Sequence, residues 1–225
     1  MDSANIRVVI VTDSLGCPRR ETKVCATWVD KILKSRFAKN FYFYTVCIPG
    51  LSSKCVPMDY LAELEPDIVI LQVGIVDACR RVLGSRVWHW ISLVPVVRDI
   101  VRSVSSRYHY QLTRLYNVHY ASISDYERMI RFILDKTKAV IFFVPIAPAG
   151  EVFRKKIYNI DNEIQKYNSV AKKIKDKRLV YLNPYTTKKQ IFISDGHHLN
   201  DLGIELVYEE VKEVLTTFGG CKDEI

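Results

Sequence analysis

The sequence predicts an α/β fold, a three-layer α/β/α sandwich around a mainly parallel sheet of five strands. Three observations predict it. Five short apolar runs alternate with segments of helical spacing. The third run is apolar through its centre, as a strand covered on both faces is. No stretch is rich enough in Gly, Pro or Ser to link two units, so 1–225 reads as a single domain.

Arg7–Val11 (RVVIV) is the first strand, ending at Thr12-Asp13-Ser14. Thr22–Phe37 follows as a helix, with Val24, Trp28, Ile32 and Leu33 on one face. Asn40–Val46 is the second strand, stopped by Pro49-Gly50. Met58–Glu65 reads as a short helix ended by Pro66, and Asp67–Val73 as the third strand. From about 80 to 138 no strand is evident, and this helical region forms either a lid beside the site or a pair of packed helices. Within it, Pro95 suits a helix start, and apolar residues recur at helical intervals through 96–116. Ser124-x-x-Glu127 is a capping-box signal opening the next helix. Ala139–Val144 is the fourth strand, Ile157–Ile174 a helix and Arg178–Leu182 the fifth strand. Asn200–Phe218 is the final helix, with Asn200 placed to cap it.

Composition narrows the functional classes. With 48% hydrophobic and 26% charged residues, the chain is of ordinary globular type. No apolar run reaches the roughly 18 residues of a membrane span. Basic residues number 33 against 25 acidic ones, a net charge of +8, which favours anionic partners or substrates. They are scattered and not interleaved with aromatics, which argues against nucleic acid. Six cysteines show no C-x-x-C pair and no zinc spacing, so neither metal nor cofactor is expected. The N-terminal MDSANIRVVIV lacks the marks of a secretory signal. Free thiols in the cytoplasm are therefore the expectation.

In open α/β sheets, ligands bind beyond the carboxyl ends of the strands. Two polar clusters are candidates for that edge. Thr12-Asp13-Ser14-Leu15-Gly16 follows the first strand and offers a serine hydroxyl. Ser194-Asp195-Gly196-His197-His198-Leu199-Asn200 precedes the last helix. An aspartate three residues before a histidine can accept from its Nδ1–H and leave Nε2 free as a base. Taken alone, such a D-x-x-H is equally a metal site, a cap or chance. Together the clusters supply nucleophile, base and orienter for acyl transfer. The other histidines, His89, His109 and His119, are expected in packing or surface roles. Cys17 is near enough to Ser14 to line the site.

These motifs resemble those of the SGNH, or GDSL-type, hydrolase superfamily. Thr12-Asp13-Ser14-Leu15 is similar to its first block, with Thr where Gly is usual. Asp195-Gly196-His197-His198-Leu199-Asn200, followed by Gly203, is similar to its last. Cys47-Ile48-Pro49-Gly50 stands where the second block supplies a glycine, and Gln72–Asp77 where the third, G-x-N-D, belongs. The resemblance implies an SGNH/flavodoxin-like fold and a catalytic triad of Ser14, Asp195 and His198. It also implies an oxyanion hole from the Ser14 and Gly50 N–H groups, and a His197 that points away. The third-block asparagine, which donates to the oxyanion in the family, is Val76 here.

Arg80 and Arg81 are near enough in sequence to replace that donor or to hold an anionic substrate. Asp13, Arg80 and Arg81 are thus the substrate-binding candidates. The pattern Gly74 to Arg81, with Asp13 to Arg19, resembles SGNH proteins associated with bacterial surface-polysaccharide biosynthesis. A serine esterase acting on a small acyl ester, an acetyl ester of a carbohydrate, is the expected function. The alternatives are a carbohydrate O-acyltransferase with the same triad and a noncatalytic glycan-binding protein, the latter favoured by Val76.

Overall fold

The computed structural model describes residues 6–19, 21, 26–187 and 189–219. Five strands form one sheet, β1 (Ile6–Thr12), β2 (Phe41–Cys47), β3 (Ile68–Gln72), β4 (Val140–Phe143) and β5 (Leu179–Tyr181). Their order is β2-β1-β3-β4-β5 and every pairing is parallel. Successive side chains on a strand point to opposite faces, so an apolar run feeds two cores at once. Val8 and Ile10 of β1 join Ile68, Ile70 and Phe142 on one face. Val9 and Val11 join Val69, Leu71, Ile141 and Phe143 on the other.

Helices α1 (Trp28–Lys34) and α10 (Asp201–Phe218) cover the first face, burying Trp28, Ile32, Val207, Val211 and Leu215. The second face carries α2 (Met58–Glu63), α7 (Ile123–Lys136) and α9 (Ile160–Lys173). Between β3 and α7 lie α3 (Ile75–Ala78), α4 (Ser85–Ser92), α5 (Pro95–Arg107) and α6 (His109–Leu115). The short α8 (Glu151–Lys156) precedes α9. No helix among the described residues is long and apolar enough to cross a membrane.

Several local expectations change. The first helix begins at Trp28, capped by Thr27, whose side chain accepts from the Asp30 N–H. Residues 22–25, including Val24, lie outside the described residues. Leu33 is exposed, and Val29 takes the inward place beside Trp28 and Ile32. The capping box of α7 is Ser122-x-x-Asp125, not Ser124-x-x-Glu127: Ser122 Oγ accepts from the Asp125 N–H at 3.1 Å, and Asp125 Oδ2 accepts from the Ser122 N–H at 2.9 Å. The helix read through 96–116 breaks at Tyr108, where φ −113° and ψ 24° leave the helical region. Helix α5 buries none of its residues. Arg81 and Val118 form an isolated bridge in the region read as free of strand.

The chain runs from β1 outward to β2, then crosses back to β3 on the other side of β1. That reversal opens a crevice at the carboxyl ends of β1 and β3. The loops after β1, β2 and β3 meet there.

Candidate active site

Asp13 leaves β1 with its N–H on the Gln72 carbonyl at 3.1 Å, which fixes the loop against β3. The Thr12 hydroxyl and the Trp28 indole N–H both donate to Gln72 Oε1, at 3.0 and 2.9 Å. The loop then turns back over Thr12. A Cβ on Gly16 would lie 2.3 Å from the Thr12 methyl, so a residue larger than glycine would have to displace it. Ser14 is held at this turn with its side chain toward the crevice.

The second loop comes from the far end of the chain. Gly196 sits at φ +77°, where a side chain is strained, and a Cβ there would lie 2.8 Å from the Phe153 nitrogen. The turn lets Asp195 Oδ1 accept the N–H groups of His197 and His198, both at 3.0 Å. Asp195 Oδ2 lies 2.6 Å from His198 Nδ1, and His198 Nε2 lies 3.0 Å from Ser14 Oγ. Since a carboxylate only accepts, Nδ1 carries the proton and Nε2 accepts from the serine hydroxyl. Burial raises the Asp195 pKa, but the His198 and His197 N–H groups and the His198 ring outweigh it and hold it at about 2. Asn200 closes the loop by capping α10, its Oδ1 accepting the Gly203 N–H at 3.0 Å.

A cavity of about 440 Å³ opens over Ser14 and His198. Gly50, at φ +79° in the turn after β2, lines it, as does Val76 in the first turn of α3. The N–H groups of Ser14 and Gly50 donate to no protein acceptor among the described residues. Asp77 joins the second and third loops, accepting from Ser52 Oγ at 2.6 Å and the Ser53 N–H at 2.8 Å.

Two of the substrate-binding candidates are elsewhere. Arg80 turns away from the cavity: its Nη2 lies 2.9 Å from Glu163 Oε1, and both side chains are nearly buried. Arg81 does line the cavity, packed over the Tyr120 ring with its Nη2 donating to the Val76 carbonyl at 3.2 Å. Asp13 is fully buried beneath the loop and does not line the cavity. Its Oδ1 accepts the Leu15 N–H at 3.0 Å, while Oδ2 has no partner in hydrogen-bond geometry.

Burial, more than the nearby Asp77 charge, lifts the Asp13 pKa from the ordinary 3.8 to about 7, against the pull of the Leu15, Gly74 and Ile75 N–H groups. Between about pH 4 and 7 the folded chain therefore holds a proton that the unfolded chain has released. Stability from this group falls as pH rises through that window. Asp13→Asn keeps the acceptor for Leu15 and removes the charge. Its thermal midpoint should exceed the parent's by several degrees at pH 8 and by much less at pH 4.5, about 2–4 °C corresponding to 1 kcal/mol. Equal effects at both pH values would refute the buried-charge account.

His197 also faces the cavity and does not point away. Its ring stacks on Phe153 with centroids 4.4 Å apart. Burial and the adjacent His198 lower its pKa to about 4 despite Asp195. His109 lines the cavity as well, with Nδ1 3.0 Å from the Lys156 carbonyl oxygen. Cys79 takes the lining place expected of Cys17, and burial pushes its thiol up to about 12. Cys17 is buried, its Sγ donating to the Asp13 carbonyl. Phe153 and Lys156 had no signal in the sequence, because α8 was not legible there, and Ile157 reads only as the start of the next helix, which begins at Ile160. Arg19 lies three residues beyond the first cluster, and only the Asp13 to Arg19 pattern touches on it.

Asp195, His197 and His198 are close enough to hold a metal ion, the three donor atoms lying within 4.8 Å of one another. Two of those donors, however, are already committed to the serine–histidine–aspartate chain. Hydrolysis of an aryl acetate should survive prolonged EDTA treatment. Loss on chelation with recovery by one specific ion would count against the serine mechanism.

No protein-family model matches the chain. No curated protein matches it. Solved structures do. A carbohydrate acetylesterase family member from Sinorhizobium meliloti superposes with a TM-score of 0.60 at 13% identity, covering 96% of this chain and 99% of that one. A GDSL-like lipase from Bacteroides thetaiotaomicron gives 0.58 at 15% identity, over 95% and 89%. The fold is that of the GDSL-type hydrolases. A G-D-S-L family lipolytic protein from Veillonella parvula, at 0.58 and 14% identity over 94% and 98%, agrees with it. In this GDSL-type fold the first-strand loop and the last-helix loop share one sheet edge, which is where Ser14 and His198 meet.

Proposed function

We propose that the chain is a serine esterase that hydrolyses a small acyl ester, an acetyl group on a carbohydrate, through Ser14, His198 and Asp195. The observation that carries this reading is the unbroken hydrogen-bond chain from Ser14 Oγ through His198 to Asp195, opening on a cavity. The fold shared with a carbohydrate acetylesterase family member supports the substrate class. The motif resemblance supports a place in surface-polysaccharide assembly. The free thiols of Cys17, Cys47, Cys55 and Cys79 support a cytoplasmic setting.

In this mechanism Ser14 Oγ attacks the ester carbonyl while His198 Nε2 takes its proton. Asp195 stabilises the imidazolium without accepting that proton. The carbonyl oxygen becomes an oxyanion facing the Ser14 and Gly50 N–H groups. Collapse expels the alcohol, which takes the proton from His198, and leaves an acyl-serine. Water, deprotonated by His198, then releases the carboxylic acid and restores the serine.

Val76 favours a second reading, a noncatalytic binding protein, since valine cannot donate to the oxyanion. An assay of acetate release from 4-nitrophenyl acetate and from acetylated sugars separates the two. Val76→Asn should raise kcat on the aryl ester by about tenfold or more with less change in KM, because such a donor acts mainly in the transition state. An unchanged kcat in an active enzyme would mean that no third donor is missing.

A further inference from the structure

We infer that the cavity recognises an ester bearing a carboxylate or phosphate group, held by Arg19, Arg81 and Lys156. This rests on the esterase reading only in placing the reacting ester at Ser14. Three separate segments bring these cations to one cavity: the loop after β1, the segment after α3 and the end of α8. Among the described residues no carboxylate lines the cavity.

Among the described residues, none of the three forms an ion pair with an acidic side chain. Two adjacent pairs of cations make the contrast direct. Arg80 is matched by Glu163 and Lys155 by Glu151, while Arg81 and Lys156 face the cavity with no salt bridge among the described residues. The Nε atoms of Arg19 and Arg81 are buried without an acceptor. Arg80 shares that feature, but its Nη2 has a carboxylate.

Gathering three cations around one cavity whose described lining holds no carboxylate is unfavourable unless a ligand supplies negative charge. Arginine's planar fork suits the oxygens of a carboxylate or phosphate, and lysine adds a point charge. A neutral acetyl sugar would give these three groups nothing to neutralise. An acyl ester of an acidic or phosphorylated sugar would.

The test uses the full-length Ser14→Ala chain, in which the nucleophile is absent and binding is read without turnover. 4-Acetoxybenzoate, 4-acetoxyphenyl phosphate and the neutral methyl 4-acetoxybenzoate are titrated calorimetrically. At least one anion should bind about tenfold or more tighter than the neutral ester. That preference should shrink severalfold toward about 0.5 M salt. Adding Arg81→Met or Arg19→Met should cut the anion-to-neutral ratio by about tenfold, and Lys156→Met by less. Circular dichroism checks that each variant is folded; should one unfold, the salt dependence and the ratio in the Ser14→Ala chain still decide. The better-bound anion identifies carboxylate or phosphate. Neutral and anionic esters binding equally would overturn the inference. An anion preference in a chain whose native form hydrolyses nothing would instead uphold it and remove the esterase reading.

Discussion

Ser14→Ala is expected to lower ester hydrolysis by about 10⁴-fold or more and to abolish labelling by a fluorophosphonate probe. The size of the effect follows from what the hydroxyl does. With no nucleophile there is no acyl-enzyme, and only binding and the oxyanion donors remain to favour direct attack by water. The native chain should acquire one adduct by intact mass, mapped to Ser14 by peptide analysis. Folding should be little disturbed, because the Ser14 side chain packs at the cavity wall and, among the described residues, its hydrogen bond is to His198. An adduct on another residue, or none in a chain with measurable esterase activity, would remove Ser14 as the nucleophile.

His198→Ala should lose activity on a similar scale, about 10⁴-fold or more, while His197→Ala changes it by about tenfold or less. The adjacent imidazoles share a loop and a carboxylate but not a role. His198 alone touches Ser14 Oγ, and its Nδ1 has the short contact to Asp195. His197 Nδ1 lies 3.3 Å from Asp195 without a hydrogen bond, and its ring is occupied by Phe153. A pKa near 4 keeps His197 neutral at pH 7, so its loss removes packing and not charge. Steady-state rates of both variants, with thermal midpoints to verify folding, decide the assignment. If His197→Ala were the more damaging, His198 would not be the base.

Ser14 and His198 are far apart in sequence, and the sequence gives no distance between them. What it does contain is local. Apolar runs of strand length alternate with helical spacing, and that pattern leads to β1–β5 because a strand covered on both faces needs apolar residues at every position. Asp195 and His198 are three residues apart, and one tight turn suffices to join them. Asn200 caps its helix for an equally local reason.

Tertiary structure decided the remainder. Arg80 and Arg81 are indistinguishable in sequence, yet Glu163 on α9 draws one away and the cavity keeps the other. Asp13 looks like an available carboxylate until the loop folds over it and burial lifts its pKa to about 7. Val76 stands at the cavity because α3 begins there, while Phe153 and Lys156 reach it on a helix too short to leave a period. Backbone periodicity is written into neighbouring residues. The partner of a charge and the wall of a cavity are set by which distant segments the sheet brings together, and no spacing along the chain records that.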